Sequence, residues 1–462
     1  MSGADVTGLL GANMGQISGL LTSANTLWAN RGYETFNLFA VDNTQAAGPT
    51  SAPQSFGLQD TFKIRKRGGR VHRTWLRLTI SSSTVAATEN AAYVDDLGAA
   101  IIAKASLQYA SKTLQEYNGE ALKMYKRLTK HDINREHYFA QCLGGLPPGP
   151  FGAPASAPEY RRTGSSTVPG APQTGFLNTG GILLVPLDWL WFTRATDYAL
   201  TPEALASELD LVVTYNTLAN LVYARTIATG AISAAPFTVA PTITKSELCT
   251  QMVHTSVPEK NMNLSSYETR QGQLYKILDF EPQLNLAMAA STNTQDIYTF
   301  RLDNLRLDSH MIMFMVRDAR ITTPFALDRM QSDTTPSVLA PGGVVTSALQ
   351  PIVQFRLIAN GKTIVDYCSD LENRSVWRHI YFPDTQVAEA IYFIPFGWFL
   401  KEHKNASGFQ NLANLGSVEL EITMPGSTNT TFPRSGASLV DVYSVAHNIV
   451  QQKDGDIIKI LR

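Results

Sequence analysis

The chain has 462 residues, 44% of them apolar and 17% charged, with a formal net charge of −1. This excludes a disordered chain and broad electrostatic binding to nucleic acid, and it predicts a globular protein of two domains. Three cysteines (Cys142, Cys249, Cys368) stand far apart with no CxxC pair, which predicts free thiols in a reducing compartment.

Residues 1–30 contain a single charged residue, Asp5, and a stripe of Leu10, Met14, Ile17 and Leu21 at helical spacing. They read equally well as a frayed terminal arm or as a short helix that docks on a partner. Strand character follows over 33–41, then a Gly/Pro/Ser turn region over 46–57, then two strands, 61–67 and 71–80, joined across Gly68-Gly69. The basic run Lys63, Arg65, Lys66, Arg67, Arg70, His72, Arg73 reads as one solvated face of that strand pair. It lacks the interleaved aromatics of single-stranded nucleic-acid binders. Further strands are predicted at 107–117, 182–190 and 208–215, with helical spacing between Gly119 and Ala140 and a Gly/Pro-rich loop from Leu143 to Gly181. The second half adds strands at 274–280, 297–302, 310–316, 352–365, 391–400, 418–423 and 440–450. In 418–423, Val418, Leu420 and Ile422 take one face, and Glu419 and Glu421 are expected on an outward one. Many strands with few helices make an all-β sandwich protein.

The halves resemble each other. Lys112–Tyr117 (KTLQEY) returns as Lys362–Tyr367 (KTIVDY), and Val185–Leu190 (VPLDWL) as Ile394–Phe399 (IPFGWF). Glu208-Leu209-Asp210 returns as Glu419-Leu420-Glu421, and Thr61-Phe62-Lys63 as Thr299-Phe300-Arg301. Four matches in one order imply tandem copies of a single β-domain. Tyr117 to Pro186 spans 69 residues and Tyr367 to Pro395 spans 28, so the first copy carries about 41 more, nearly all in Leu143–Gly181.

No catalytic pattern emerges. There is no HxH pair, HExxH, GxSxG or GxxxxGK[ST], and His131 and His137, six apart, would not share a helix face. LGGLPPGPFG has no lysine for a phosphate. Asp454-Gly455 marks a hairpin turn. Sequons at Asn263, Asn373, Asn405 and Asn429 are expected on surface loops. No enzyme activity, cofactor or metal is expected. No apolar run reaches the roughly 20 residues of a membrane span, and the N-terminus lacks the pattern of a signal peptide, so a soluble cytosolic product is expected.

The stretch Phe399–Ile422 (FLKEHKNASGFQNLANLGSVELEI) resembles the strand–loop–strand segment near the end of major capsid proteins of nucleocytoplasmic large DNA viruses, the double jelly-roll family of iridoviruses, phycodnaviruses and marseilleviruses. Lys401, Glu402, His403, Ser407, Gly408 and Asn411 keep the family's order, while Leu412–Gly416 depart from its core motif. FRLIANGKTIVDY resembles the family's strand with an NG turn, and YSVAHNIVQQKDGDIIKI its terminal hairpin with His447-Asn448. The resemblance implies an all-β fold of two tandem eight-stranded jelly rolls with long decorated loops. Its parts would be an N-terminal arm (1–30), a first jelly roll (31–265) and a second (266–462). It implies a structural major capsid protein in the virion, assembled in host cytoplasm as homotrimeric, pseudo-hexagonal capsomers of an icosahedral capsid. The implied partners are neighbouring capsomers, minor capsid proteins and cap proteins on the outer face. No direct nucleic acid contact is implied; an internal membrane lies near the inner side, towards the arm with Leu10, Met14, Ile17 and Leu21. The outer surface would be the loop from Pro147 to Gly175, with Tyr160, Arg161 and Arg162 as its contact cluster. The alternatives are a minor capsid or scaffolding double jelly-roll protein and, from another class, a tandem β-sandwich glycan-binding protein.

Overall fold

A computed structural model describes residues 39–459, except 51–54, 67–69, 94–96, 130–176, 178–179, 188, 191, 193–199, 227–235, 256–272, 290–291, 319–351, 384–390, 398–399, 401–407, 427 and 429–436. The first half carries β1 (Phe39–Ala47), β2 (Gln59–Ile64), β3 (Arg70–Ile80), β4 (Thr84–Val85), β5 (Glu89–Tyr93), β6 (Ile102–Tyr109), β7 (Lys112–Asn118), helix α1 (Gly119–Thr129), β8 (Gly181–Pro186), β9 (Leu209–Tyr215), β10 (Val222–Thr226), β11 (Phe237–Val239) and β12 (Ile243–Thr255). The second half carries β13 (Gln273–Met288), β14 (Gln295–Arg301), β15 (Asp308–Asp318), β16 (Gln354–Ala359), β17 (Lys362–Ser369), β18 (Ile391–Pro395), β19 (Gln410–Asn411), β20 (Val418–Pro425), β21 (Ser438–Lys453) and β22 (Asp456–Lys459). Between β17 and β18 lies a helical segment, α2, over 370–381. It is π-helical at Glu372–Trp377 and α-helical at Arg378–Tyr381.

Each half is built on two antiparallel sheets face to face with a four-strand path in each; β19 and β22 extend one sheet of the second half to six strands by pairing with β15 and β21, and β5-β10 and β4-β11 form two small sheets in the first half. The first half has the orders β1-β12-β3-β8 and β2-β9-β6-β7, and the second has β13-β21-β15-β18 and β14-β20-β16-β17. The four sequence matches fall on equivalent strands of these sheets: β7 with β17, β8 with β18, β9 with β20, β2 with β14. The register corrects one of them. Phe62 faces Leu211 and Lys63 faces Asp210, as Phe300 faces Leu420 and Arg301 faces Glu419. The partner of Glu419 in the repeat is therefore Asp210, two residues from the position that matching letters suggests. A two-residue slip keeps every side chain on its own face, so sequence alone does not reveal it.

Alternation builds the sandwiches. In β9, Leu209, Leu211, Val213 and Tyr215 are buried and the residues between are half-buried, and β16 repeats this with Phe355, Leu357 and Ala359. Both segments expected as single strands over 107–117 and 352–365 are hairpins. Ala110-Ser111 and Asn360-Gly361 turn them with φ of 46° and 66°, and of 51° and 72°. Positive φ at both central residues is what a two-residue turn needs to match the strand twist. Asn-Gly announces this, whereas Ala-Ser does not. The expected Asp454-Gly455 turn is present, with φ of 51° and 80°, between β21 and β22.

The two strands on either side of Gly68-Gly69 are not a pair. β2 joins β9 and β3 joins β12 and β8, in opposite sheets of the first sandwich. The basic run is split accordingly, with Lys63 near Glu208 at 3.8 Å and Lys66 donating to the Ala206 carbonyl at 2.5 Å. The segment expected as a strand over 33–41 is described only from Phe39, where β1 runs on to Ala47 into the expected turn region. β12, thirteen residues and central to its sheet, was not anticipated. Its polar outer face (Lys245, Glu247, Gln251) breaks the apolar density that marks the other long strands. Cys249 and Cys368 are free and buried, and burial pushes the Cys368 thiol up to about 12. Cys142 lies outside the described residues.

Candidate functional site: the seam between two sandwiches

β15 reads Met311-Ile312-Met313-Phe314-Met315-Val316, and all six are buried. An unbroken apolar run is required when both faces of a strand are covered. Ile312, Phe314 and Val316 point into the core of the second sandwich with Phe355, Tyr392 and Leu420. Met311, Met313 and Met315 point outward into a separate cluster that also holds Phe393, Tyr443 and Val445. The cover on that face is α1, from the first half of the chain, through Ala121, Met124, Tyr125 and Leu128. Its Leu122 belongs to the core of the first sandwich, so α1 is apolar on both sides because it lies between two bodies. Methionine suits such a seam, since its flexible thioether adapts to irregular gaps.

Polar contacts fix the seam's register. The Gln115 side-chain amide, buried on β7, donates to the carbonyls of Trp189 at 2.7 Å and Leu278 at 2.9 Å, tying β7 to β13. Tyr443 donates to the Glu120 carboxylate at 2.9 Å. At the far end the terminal hairpin latches onto the first sandwich, where the Gly455 carbonyl accepts from Tyr109 Oη at 2.7 Å and from the Ala206 amide at 2.6 Å. Gln452 donates to the Thr201 carbonyl at 3.1 Å. Ile277, Val450 and Ile457 of the second half sit in the first sandwich's core cluster. The two sandwich cores are thus joined by a third cluster, and the interface between them is itself a core.

The outer faces carry charge clusters of structural type. Glu247 on β12 accepts from Arg77 Nε and Nη2 at 2.6 and 2.5 Å and pairs with Lys245 at 2.7 Å. Burial pushes its carboxyl up, but the hydrogen bonds and charges of Lys245 and Arg77 outweigh this and hold it below the ordinary 4.5. A depressed folded value contributes stability that is present above 4.5 and lost as pH falls through the folded value. Glu247→Gln is therefore expected to lower the melting temperature at pH 7 and to converge with the parent protein in strong acid. Melting curves across pH 2–7 check this, and a constant difference throughout would refute it.

Glu421 corrects an expectation. It is buried, not outward, because Arg356 stands directly opposite it on β16 and reaches it at 2.7 Å, while Tyr367 donates to it at 3.2 Å. Cross-strand pairing of opposite charges is invisible until the register is known. Asn373 corrects another. This sequon asparagine is buried in α2, donating to the Phe393 carbonyl at 2.8 Å and accepting from its amide at 3.2 Å, so it closes the edge of β18. Asn263, Asn405 and Asn429 lie outside the described residues, as do Leu10, Met14, Ile17 and Leu21, the cluster Tyr160, Arg161 and Arg162, and His131 and His137. Among the described residues, no group of three or more His, Cys, Asp or Glu could hold a metal ion, and no helix is long and apolar enough to cross a membrane.

Comparison with known proteins gives this architecture a context. Residues 26–248 match the family described as major capsid protein, N-terminus. A search of curated protein sequences returned no match. Among solved structures, VP54 of PBCV-1, fitted into a reconstruction of the virophage Sputnik, aligns with a TM-score of 0.69 at 13% identity, covering 94% of this chain and 99% of that one. The Faustovirus major capsid protein aligns at 0.62 and 13% identity over 93% of each chain. The mavirus major capsid protein aligns at 0.51 and 11% identity, covering 91% of this chain and 90% of that one. At these identities the likeness is one of fold: two tandem jelly rolls, each of two facing antiparallel sheets.

Proposed function

We propose, from the premise that this chain is a major capsid protein of double jelly-roll build, that three copies close into a pseudo-hexagonal capsomer of an icosahedral shell. One observation carries the reading: the same strand order and pairing register occur twice in one chain. Two similar sandwiches repeated about a three-fold axis make six similar walls, and a near-hexagonal tile packs a flat lattice without gaps. Closure needs a heterologous contact from the second sandwich of one subunit to the first of the next. An obligate interface of this kind buries more than about 2,000 Å².

In this reading residues 1–30 are an arm, 31–265 the first jelly roll and 266–462 the second, a division supported by sheets that, among the described residues, do not mix strands from before Thr255 with strands from after Gln273. The shell is that of a large DNA virus assembled in host cytoplasm. The capsomer meets its neighbours laterally, minor capsid proteins and an internal membrane on the arm's side, and cap proteins outside. The task is structural, without a catalytic step.

Light scattering on the purified full chain is expected to report three chains per particle; a stable monomer at micromolar concentration would sink the tile. The outer face has its own test. Prolines at 147, 148, 150, 154, 158, 169 and 172 remove ladder donors from 143–181, so its backbone needs water. Limited proteolysis of intact particles is expected to cut first at Arg161 or Arg162, ahead of any site in residues 1–30. The reverse order would place the arm outside.

A further inference from the structure

The internal repeat shows a second use of one docking element. In the first sandwich β7 and α1 are buried, Ala121 and Tyr125 against the second half of the chain and Tyr117 against Trp189 in a core that Ile277, Val450 and Ile457 of the second half enter: Leu114, Tyr117, Ala121 and Tyr125 are 1%, 2%, 0% and 6% exposed. Their counterparts on β17 and α2 are Ile364, Tyr367, Leu371 and Val376, at 44%, 42%, 70% and 53%. The first three lie 250 residues on. The fourth lies 251 on, because the π-helical turn at Glu372–Trp377 accommodates one more residue and keeps the apolar stripe on the same side. Ile380, one turn further, is 63% exposed. An apolar face of this extent on a protein surface marks an interaction site.

We infer that β17 and α2 dock on the first sandwich of a second copy of this chain, as β7 and α1 dock on the second sandwich of their own. The inference rests on the trimer proposed above and names the contact that closes it. The receiving surface follows from the register. In the second sandwich α1 meets a cluster that includes Met311, Ile391 and Phe393. Met311 pairs with Pro395, and Trp75 pairs with Pro186, so the counterparts in the first sandwich are Trp75, Ile182 and Leu184, with the Arg77–Glu247 ion pair standing where Met313 and Tyr443 stand in the second. Ile182 is 60% exposed, and Trp75 and Leu184 are half-buried. A surface on the second sandwich and its complement on the first are not self-complementary, so the contact is head-to-tail, the type that closes into a ring when successive copies are related by a three-fold rotation.

The test is the mass of the full chain carrying Val376→Glu and Ile380→Glu. Both positions are exposed, so the fold and its circular dichroism are expected to stay unchanged while the mass in solution drops threefold. A second measurement guards against misfolding: Ile380→Cys combined with Ile182→Cys, treated with a short bismaleimide, is expected to give covalent dimers and trimers on a denaturing gel, which neither single variant nor the parent gives. A parent trimer whose Glu variant is also a trimer, or a paired-cysteine variant that yields no covalent oligomer, overturns the assignment of this face and leaves the trimer standing. A parent chain that is itself monomeric overturns the trimer, and the inference with it.

Discussion

Phe314→Ala is expected to destabilise the second sandwich by about 3–5 kcal/mol, the usual cost of truncating a buried phenylalanine. Phe314 is fully buried; its ring stacks on Tyr392 with centroids 5.1 Å apart and meets Phe355 edge-on, also at 5.1 Å. Phe355 and Tyr392 are in turn within 6.2 Å of each other, so all three rings share one site. They lie on β15, β16 and β18, from both sheets, so the cavity opens where the sheets are joined. Tyr392 also donates to Asp370, whose carboxylate is paired with Arg374, which limits how far the neighbours can collapse into the space. Urea unfolding checks the value. A loss under about 1 kcal/mol would mean that the rings are not packed as described.

Met124→Asp is expected to cost about as much, roughly 4 kcal/mol or more, by placing a carboxylate without a partner in an apolar cluster. The substitution sits on α1 and touches the seam, leaving the interior of each sandwich intact. Its signature is therefore different. Phe314→Ala moves the parent's single transition, whereas Met124→Asp uncouples the two sandwiches, so that calorimetry resolves two transitions where the parent gives one. Met124→Leu, which keeps the volume and the apolar character, is expected to stay within about 1.5 kcal/mol of the parent. A single, unshifted transition in Met124→Asp would show that the seam contributes nothing to the stability of the subunit.

The tandem repeat was legible because side-chain alternation and turn letters survive divergence better than identities do. KTLQEY and KTIVDY keep the same pattern on β7 and β17 although their surroundings differ. The burial of Tyr117 against the exposure of Tyr367 was not legible, since what covers Tyr117 lies on other elements. Glu421 was misread for the same reason: its partner Arg356 is 65 residues away, and a strand's own period cannot say which outward face a neighbour will close.

By itself the sequence determined that the chain is all-β, that one sandwich is built twice, and where several strands and turns fall. These are local properties, set by which side chains avoid water at a period of two and by which residues tolerate positive φ. Only the tertiary structure decided which sheet each strand enters, how β20 aligns with β9, and that α1 belongs to the interface and not to a loop. Those outcomes depend on hydrogen bonds and apolar contacts between residues far apart in the chain, such as Trp75 with Cys249 or Gln115 with Leu278. Their free energy exists only once the partners are in place, and no period of the chain records it.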